Sequence, residues 1–156
     1  MGICYDLFIA HMLNKYLKTI ADCLESKPSI LAGYLYGSKA KQEEREESDL
    51  DIAIVFDRKT NTYDEFHQTS VEITDILKQA GIDEKIDIQP VFPDQNLSLF
   101  HFEVIKSNKL FYQKDPVKVA QFELETLRKF RNYQRIKKIK YYYLDKLYRG
   151  GNNGQT

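Results

Sequence analysis

Apolar side chains recur along the chain with two periods, and these periods divide it into predicted helices and strands. Helical spacing, with apolar residues three and four positions apart, occurs in three segments: 5–26, 62–80 and 97–106. Gly81 is suited to end the second of these helices, because glycine readily adopts the positive φ of a helix C-terminus. A fourth and longer helix is expected from Pro116, a residue favoured in the first turn, to about Tyr148.

Short apolar runs lie between these helices and predict strands at 30–36, 50–56 and 85–92, with a short strand or extended segment at 109–112. Pro90 cannot donate a backbone hydrogen bond, so the end of the third run is expected at a sheet edge or a bulge. The polar stretch 39–48 is expected to form a helical turn and an exposed loop. The whole pattern predicts an α+β (mixed α/β) fold, a small sheet flanked by helices with a long C-terminal helix.

Composition and length bound the domain organisation. Of the 156 residues, 42% are hydrophobic, which is enough for an ordinary core. We expect one domain over residues 1–113, a helical arm over 114–149 and a disordered tail over 150–156, where the sequence reads GGNNGQT.

The net charge of zero conceals a separation of charge. Residues 116–149 contain ten Lys/Arg and three Asp/Glu, a net charge of +7, which leaves −7 on residues 1–115. Such a separation indicates either a docking surface or a solvated helix face. Tyrosines interleave with the basic residues, but apolar positions continue along the full helix. We therefore favour packing against the core or a partner subunit over nucleic-acid binding.

The sequence shows no membrane or secretory signal. No apolar run reaches the roughly 20 residues of a membrane span, and the first 15 residues lack the features of a signal peptide. Cys4 and Cys23 lack zinc-site spacing and are expected to be plain thiols. A cytoplasmic protein is the expectation.

Candidate chemistry begins with Asp49 and Asp51 at the start of the second predicted strand. Side chains alternate faces along a strand, so these two carboxylates point the same way. Their mutual repulsion is relieved by a divalent cation, and Mg²⁺ prefers carboxylate oxygens. A solvated polar strand start explains the same pattern. Asp87 alternates with Ile86 and Ile88 in the third strand and would join the pair if the two strands are neighbours.

Gly37 and Ser38 end the first predicted strand abruptly. Glycine lets the backbone approach a phosphate closely, and Ser38 adds a hydroxyl and a backbone N–H, although Gly-Ser is also a common turn pair. Gly37-Ser38, ten residues and then Asp49-x-Asp51 together resemble the signature of the polymerase-β-like nucleotidyltransferases. The segments YLYGSKA and SDLDIAIVFD look particularly like the minimal nucleotidyltransferases, with a motif core over residues 31–92.

This resemblance implies roles for individual residues. Asp49, Asp51 and Asp87 would be the catalytic residues and would bind Mg²⁺ in a two-metal site. Gly37 and Ser38 would hold the triphosphate of ATP. Lys39 and Lys41 could touch the phosphates, and Lys41 stands where many relatives have arginine.

The resemblance also implies partners. Minimal nucleotidyltransferases often act as antitoxins that transfer AMP from ATP to a tyrosine of a HEPN-family RNase toxin, in a hetero-oligomer. Two other functions stay open: a small-molecule nucleotidyltransferase of the aminoglycoside type, and an antitoxin that only binds its partner. Neither membrane association nor direct nucleic-acid binding is expected.

Overall fold

The computed structural model describes residues 2–37, 49–57, 63–82, 85–96, 98–107 and 109–150. In chain order the elements are α1 (Gly2–Glu25), β1 (Ile30–Tyr36), β2 (Leu50–Phe56), α2 (Tyr63–Gln79), β3 (Ile86–Val91), α3 (Ser98–Lys106), β4 (Leu110–Gln113) and α4 (Pro116–Gly150). The predicted α+β fold, with a small sheet flanked by helices and a long C-terminal helix, is confirmed. The predicted loop 39–48 lies outside the described residues.

The four strands form one mixed sheet in the order β3-β2-β1-β4. β1 is antiparallel to both β2 and β4, whereas β2 and β3 are parallel. Parallel neighbours require a crossover, and α2 supplies it between β2 and β3. Pro90 lies on β3 at the edge of the sheet, as predicted, where its missing N–H deprives no neighbouring strand of a hydrogen bond.

Each face of the sheet carries its own hydrophobic core. Strict alternation in β2 sends Leu50, Ile52 and Ile54 to one face, where they pack with apolar residues of α1 and α2. Ala53 and Val55 point to the opposite face and pack against α3 and the first part of α4. Both faces of the sheet are therefore covered, which explains why the central strands β1 and β2 read as almost continuous apolar runs.

The first part of α4 is fixed to the domain by specific contacts. The Tyr34 hydroxyl donates to Oε1 of Glu123 over 2.7 Å, and the ring of Phe130 stacks on that of Phe102. Residues 131–143, in contrast, are all exposed. At 1.5 Å per residue this stretch extends about 20 Å. Gly150, expected in the disordered tail, is the last residue of the helix.

No helix within the described ranges combines the length and apolar character needed to cross a membrane.

His101 is a buried histidine of the α3–α4 core. It is 1% exposed, its ring lies near those of Phe100 and Phe122, and its Nε2 atom has no hydrogen-bond partner among the described residues. Burial, together with the charge of Lys129, lowers the pKa of His101 from 6.5 to about 4. The imidazole is therefore neutral in the native protein at pH 7, as expected for a structural histidine.

This burial predicts a loss of stability in acid. Between pH 6.5 and about 4 the unfolded chain binds a proton at His101 that the native protein does not bind. The free energy of unfolding should therefore fall as the pH falls through this window, by about 3 kcal/mol from this residue. Urea denaturation at several pH values should show a shallower fall for His101→Phe. His67→Phe, which changes a histidine outside this core, should keep the wild-type dependence, and equal pH profiles for all three proteins would contradict the assignment.

Candidate functional site

Gly37 ends β1 in a conformation that brings its backbone against a carboxylate. Its φ is +74°, in the left-handed region that favours glycine. A Cβ atom added at this position would lie 2.8 Å from Cγ of Asp51 and closer still to its Oδ2, well inside van der Waals contact. Glycine therefore fits this turn beside Asp51, whereas any other residue would strain the backbone and displace the Asp51 side chain.

The parallel register of β2 and β3 sets Asp51 directly beside Asp87. On the other side of β2, the antiparallel register sets Tyr36 opposite Asp51. Residues in register share a face of the sheet, so the three side chains lie in a row on the face covered by α3 and α4. All three are half-buried. Asp87 thus lies on the strand next to β2, which meets the condition for it to join the other carboxylates.

Tyr36 is the aromatic member of this row and lies beside the carboxylates. Burial raises the pKa of its hydroxyl to about 12, and the negative charges of Asp87 and Asp51 contribute in the same direction. Its ring meets the ring of Phe100 edge to face, with centroids 5.6 Å apart. At pH 7 the hydroxyl therefore stays protonated, and it can donate a hydrogen bond but cannot act as a base.

Asp49 has a different environment from the other two aspartates. Its Oδ2 atom accepts a hydrogen bond from Nζ of Lys85 over 2.8 Å, and this bond raises the pKa of Lys85. The Lys85 side chain is 82% exposed, so the ion pair lies at the surface. Gln89, two positions after Asp87, donates from Nε2 to Oδ1 of that aspartate over 2.8 Å.

The oxygen donors at this edge suit a hard divalent cation. Mg²⁺ is usually bound by one or two carboxylates together with water and phosphate oxygens, and Asp51 and Asp87 supply two carboxylates side by side. Within the described ranges, no three His, Cys, Asp or Glu residues gather closely enough to hold a metal ion. The structure therefore brings Asp51 and Asp87 together and leaves Asp49 paired with Lys85.

Some site residues follow from the sequence pattern and others do not. Ser38, Lys39 and Lys41 lie outside the described residues. Sequence reasoning missed Lys85 and Gln89, although each stands two positions from Asp87, Gln89 within β3 and Lys85 just before it. That spacing is the available signal for both. Tyr36 belongs to the motif that carries the family resemblance, but the motif alone gives it no role.

The amino-acid sequence matches the family described as Polymerase beta, Nucleotidyltransferase over residues 18–117. This segment is 100 residues long, well over half of the chain, and it contains Gly37, Asp49, Asp51 and Asp87. The chain belongs to this nucleotidyltransferase family. Among curated proteins, none matches the sequence significantly.

Solved structures with the same fold come from toxin–antitoxin pairs. One, a toxin–antitoxin with AMP-PNP, is 20% identical with a TM-score of 0.56, over 84% of this chain and 97% of its own. A mutant of the toxin–antitoxin MntA-HpeT is 19% identical with a TM-score of 0.55, over 86% and 96%. A second MntA-HpeT mutant gives 18% identity and a TM-score of 0.54, over 86% and 95%. At these sequence identities, the structural similarity shows that this chain shares its fold with those proteins.

Gly37→Ala should cost more stability than the same change at another left-handed glycine. Gly81 has φ +76°, and no atom of the part of the chain that the structure describes lies within 4 Å of the position that a Cβ would take. Gly81→Ala therefore carries mainly the conformational cost, about 1 kcal/mol. Gly37→Ala adds the overlap with Asp51, typically about 1–3 kcal/mol for overpacking. Urea denaturation measures both. Equal losses would show that Gly37 and Asp51 are not in close contact.

Lys85→Met should strengthen the binding of divalent cations, because the Lys85 ammonium competes for the Asp49 carboxylate. The gain in Mg²⁺ affinity should be about two- to fivefold at low ionic strength, as expected for an exposed ion pair. Isothermal titration calorimetry can measure it. Lys78→Met, which removes an exposed charge from the last turn of α2, serves as the control. An equal gain in both variants would assign the effect to net charge alone.

Proposed function

We propose that this nucleotidyltransferase transfers AMP from ATP to a protein acceptor in a Mg²⁺-dependent reaction, as an antitoxin that modifies a tyrosine of a HEPN-family RNase toxin. The observation that carries the proposal is the register that sets Asp51 beside Asp87. Two carboxylates at the edge of a hydrophobic sheet repel each other, and a cation with a polyphosphate is the ligand that such a site suits.

Each residue of the site would have its own role in binding Mg²⁺ and ATP. Asp51 and Asp87 would hold Mg²⁺, and Asp49 would join them once ATP phosphates draw away the Lys85 ammonium. Bound Mg²⁺ supplies charge neutralisation for the triphosphate and the pyrophosphate leaving group. Gly37 lets the backbone lie against Asp51, where the triphosphate would be held.

The acceptor hydroxyl would attack the α-phosphorus of ATP, forming a new P–O bond while the bond to pyrophosphate breaks. Gln89 holds Oδ1 of Asp87 and so orients the carboxylate that would receive the hydroxyl proton. Tyr36 stays protonated and would donate to the neighbouring carboxylates rather than compete for that proton. Positioning and charge neutralisation would supply most of the rate, as in phosphoryl transfer generally.

A protein acceptor is supported by the shape of the chain and by its structural neighbours. We assign residues 1–113 to the nucleotidyltransferase unit and 114–149 to an arm that meets the partner. Residues 131–143 of α4 are exposed and rich in lysine, arginine and tyrosine. An exposed helix of this composition offers a surface on which a partner protein could bind. The neighbouring solved structures are toxin–antitoxin pairs, one of them with AMP-PNP.

The decisive experiment uses ATP labelled at the α-phosphate, Mg²⁺ and a co-expressed HEPN-type partner. The wild-type chain should label the partner, and mass spectrometry should find AMP on a tyrosine. Asp51→Asn and Asp87→Asn should each lower the labelling rate by at least about 100-fold, the scale expected when an electrostatic catalytic group is removed. Asp75→Asn, which changes an exposed aspartate of α2, is the matched control and should label normally.

Other outcomes would replace the proposal. Tight binding of the partner without any label from ATP, GTP, CTP or UTP would indicate an antitoxin that acts by binding alone. Label on an aminoglycoside and none on protein would indicate a small-molecule enzyme. Normal labelling by the Asp51 and Asp87 variants would remove these residues from the mechanism.

A further inference from the structure

A cavity of about 630 Å³ lies between α3 and α4. Its apolar walls are formed by Leu99 and Phe100 of α3 and by Tyr133 and Ile136 of α4, and two amides, Asn96 and Asn132, also line it. The volume is within the range of about 300–1,000 Å³ that is usual for small-molecule sites. None of these residues is used in the reaction described above.

Two neighbouring aromatic rings connect the cavity to the carboxylates. Phe100 lines the cavity and also meets Tyr36 edge to face, and Tyr36 lies opposite Asp51 in the sheet. The negative charges of Asp51 and Asp87 both contribute to the raised pKa of the Tyr36 hydroxyl. The cavity and the carboxylates therefore lie on the same side of the sheet, with these two rings between them.

The lining matches a flat heteroaromatic ring with a polar edge. Phe100 and Tyr133 offer aromatic surface, on which any nucleobase can stack. Each amide presents both a donor and an acceptor, which is what the edge of a base requires. A tyrosine ring of a protein acceptor has a single polar atom and would leave most of these groups unused.

The charge of the cavity wall disfavours a cationic ligand. Lys129 lines the cavity, and its Nζ donates a hydrogen bond to the Pro93 carbonyl oxygen over 3.0 Å. This ammonium would repel a cationic ligand, whereas the neutral base of a nucleotide carries no charge that it would repel.

We propose that this cavity holds the base of the nucleotide donor, with Tyr133 as a stacking surface and Asn96 and Asn132 reading the edge of the base. The inference rests on the proposed function, since it takes the phosphates to lie at Asp51 and Asp87. It adds the residues that select the nucleotide. The arm helix α4 would thus form part of the nucleotide site over Asn132–Ile136 before continuing to its exposed end.

The test is calorimetric binding of AMP-PNP with Mg²⁺ to the full chain, which needs no partner and no turnover. Tyr133→Ala should weaken AMP-PNP binding about 10-fold, the lower end for loss of a base–aromatic stack. Asn132→Ala should reduce the preference among ATP, GTP and CTP. Both variants should bind inorganic tripolyphosphate as the wild type does. Tyr142→Ala, an exposed tyrosine further along the same helix, is the matched control and should bind AMP-PNP normally.

The failures of this inference and of the proposed function are distinguishable. If AMP-PNP binding depends on Asp51 but is unchanged in both the Tyr133 and Asn132 variants, the base lies elsewhere and only the inference is overturned. If these variants bind AMP-PNP normally but label the partner slowly, the cavity receives the acceptor instead. If the wild-type chain binds no AMP-PNP and labels no partner, both the inference and the proposed function are wrong.

Discussion

The parallel pairing of β2 with β3 places two carboxylates next to each other at the edge of a hydrophobic sheet, and the rest of the site is arranged around that pair. Side by side, Asp51 and Asp87 repel each other and resist removal from water. Gly37 lets the backbone pass close to Asp51, and Gln89 donates a hydrogen bond to Asp87. Tyr36 remains protonated beside both. Each of these three neighbours accommodates a carboxylate, and the oxygens of Asp51 and Asp87 are the kind of ligand that a hard divalent cation prefers.

The covering of the sheet explains where the chemistry can occur. One face is closed by α1 and α2, and the opposite face by α3 and the first part of α4. The carboxylates lie on the second face, and their neighbour Tyr36 contacts Phe100, which lines a cavity between α3 and α4. Beyond the cavity, α4 continues with exposed basic and aromatic side chains. One helix thereby connects the core, the proposed base site and the surface available to a partner.

Much of this arrangement follows from the sequence pattern, for identifiable reasons. Apolar periodicity defines β1 and β2, since strands buried on both faces read as continuous apolar runs. Alternation places Asp49 and Asp51 on one face. That Asp87 stands beside Asp51 depends on strand order, which a local pattern does not contain. The ion pair of Lys85 with Asp49 was missed, because a long exposed side chain can reach several partners. The cavity could not be predicted, because it exists only where two helices cross.

The central claim is that Asp51 and Asp87 jointly bind the catalytic cation. A crystal structure of the protein crystallised with Mn²⁺ and AMP-PNP tests this claim most directly. Anomalous scattering would locate the manganese without reference to the protein. We expect an anomalous peak within coordination distance, about 2.2 Å, of oxygens from both Asp51 and Asp87 and from the triphosphate. A nucleotide bound with manganese at some other group of residues, or with Asp51 and Asp87 turned away from the metal, would contradict it.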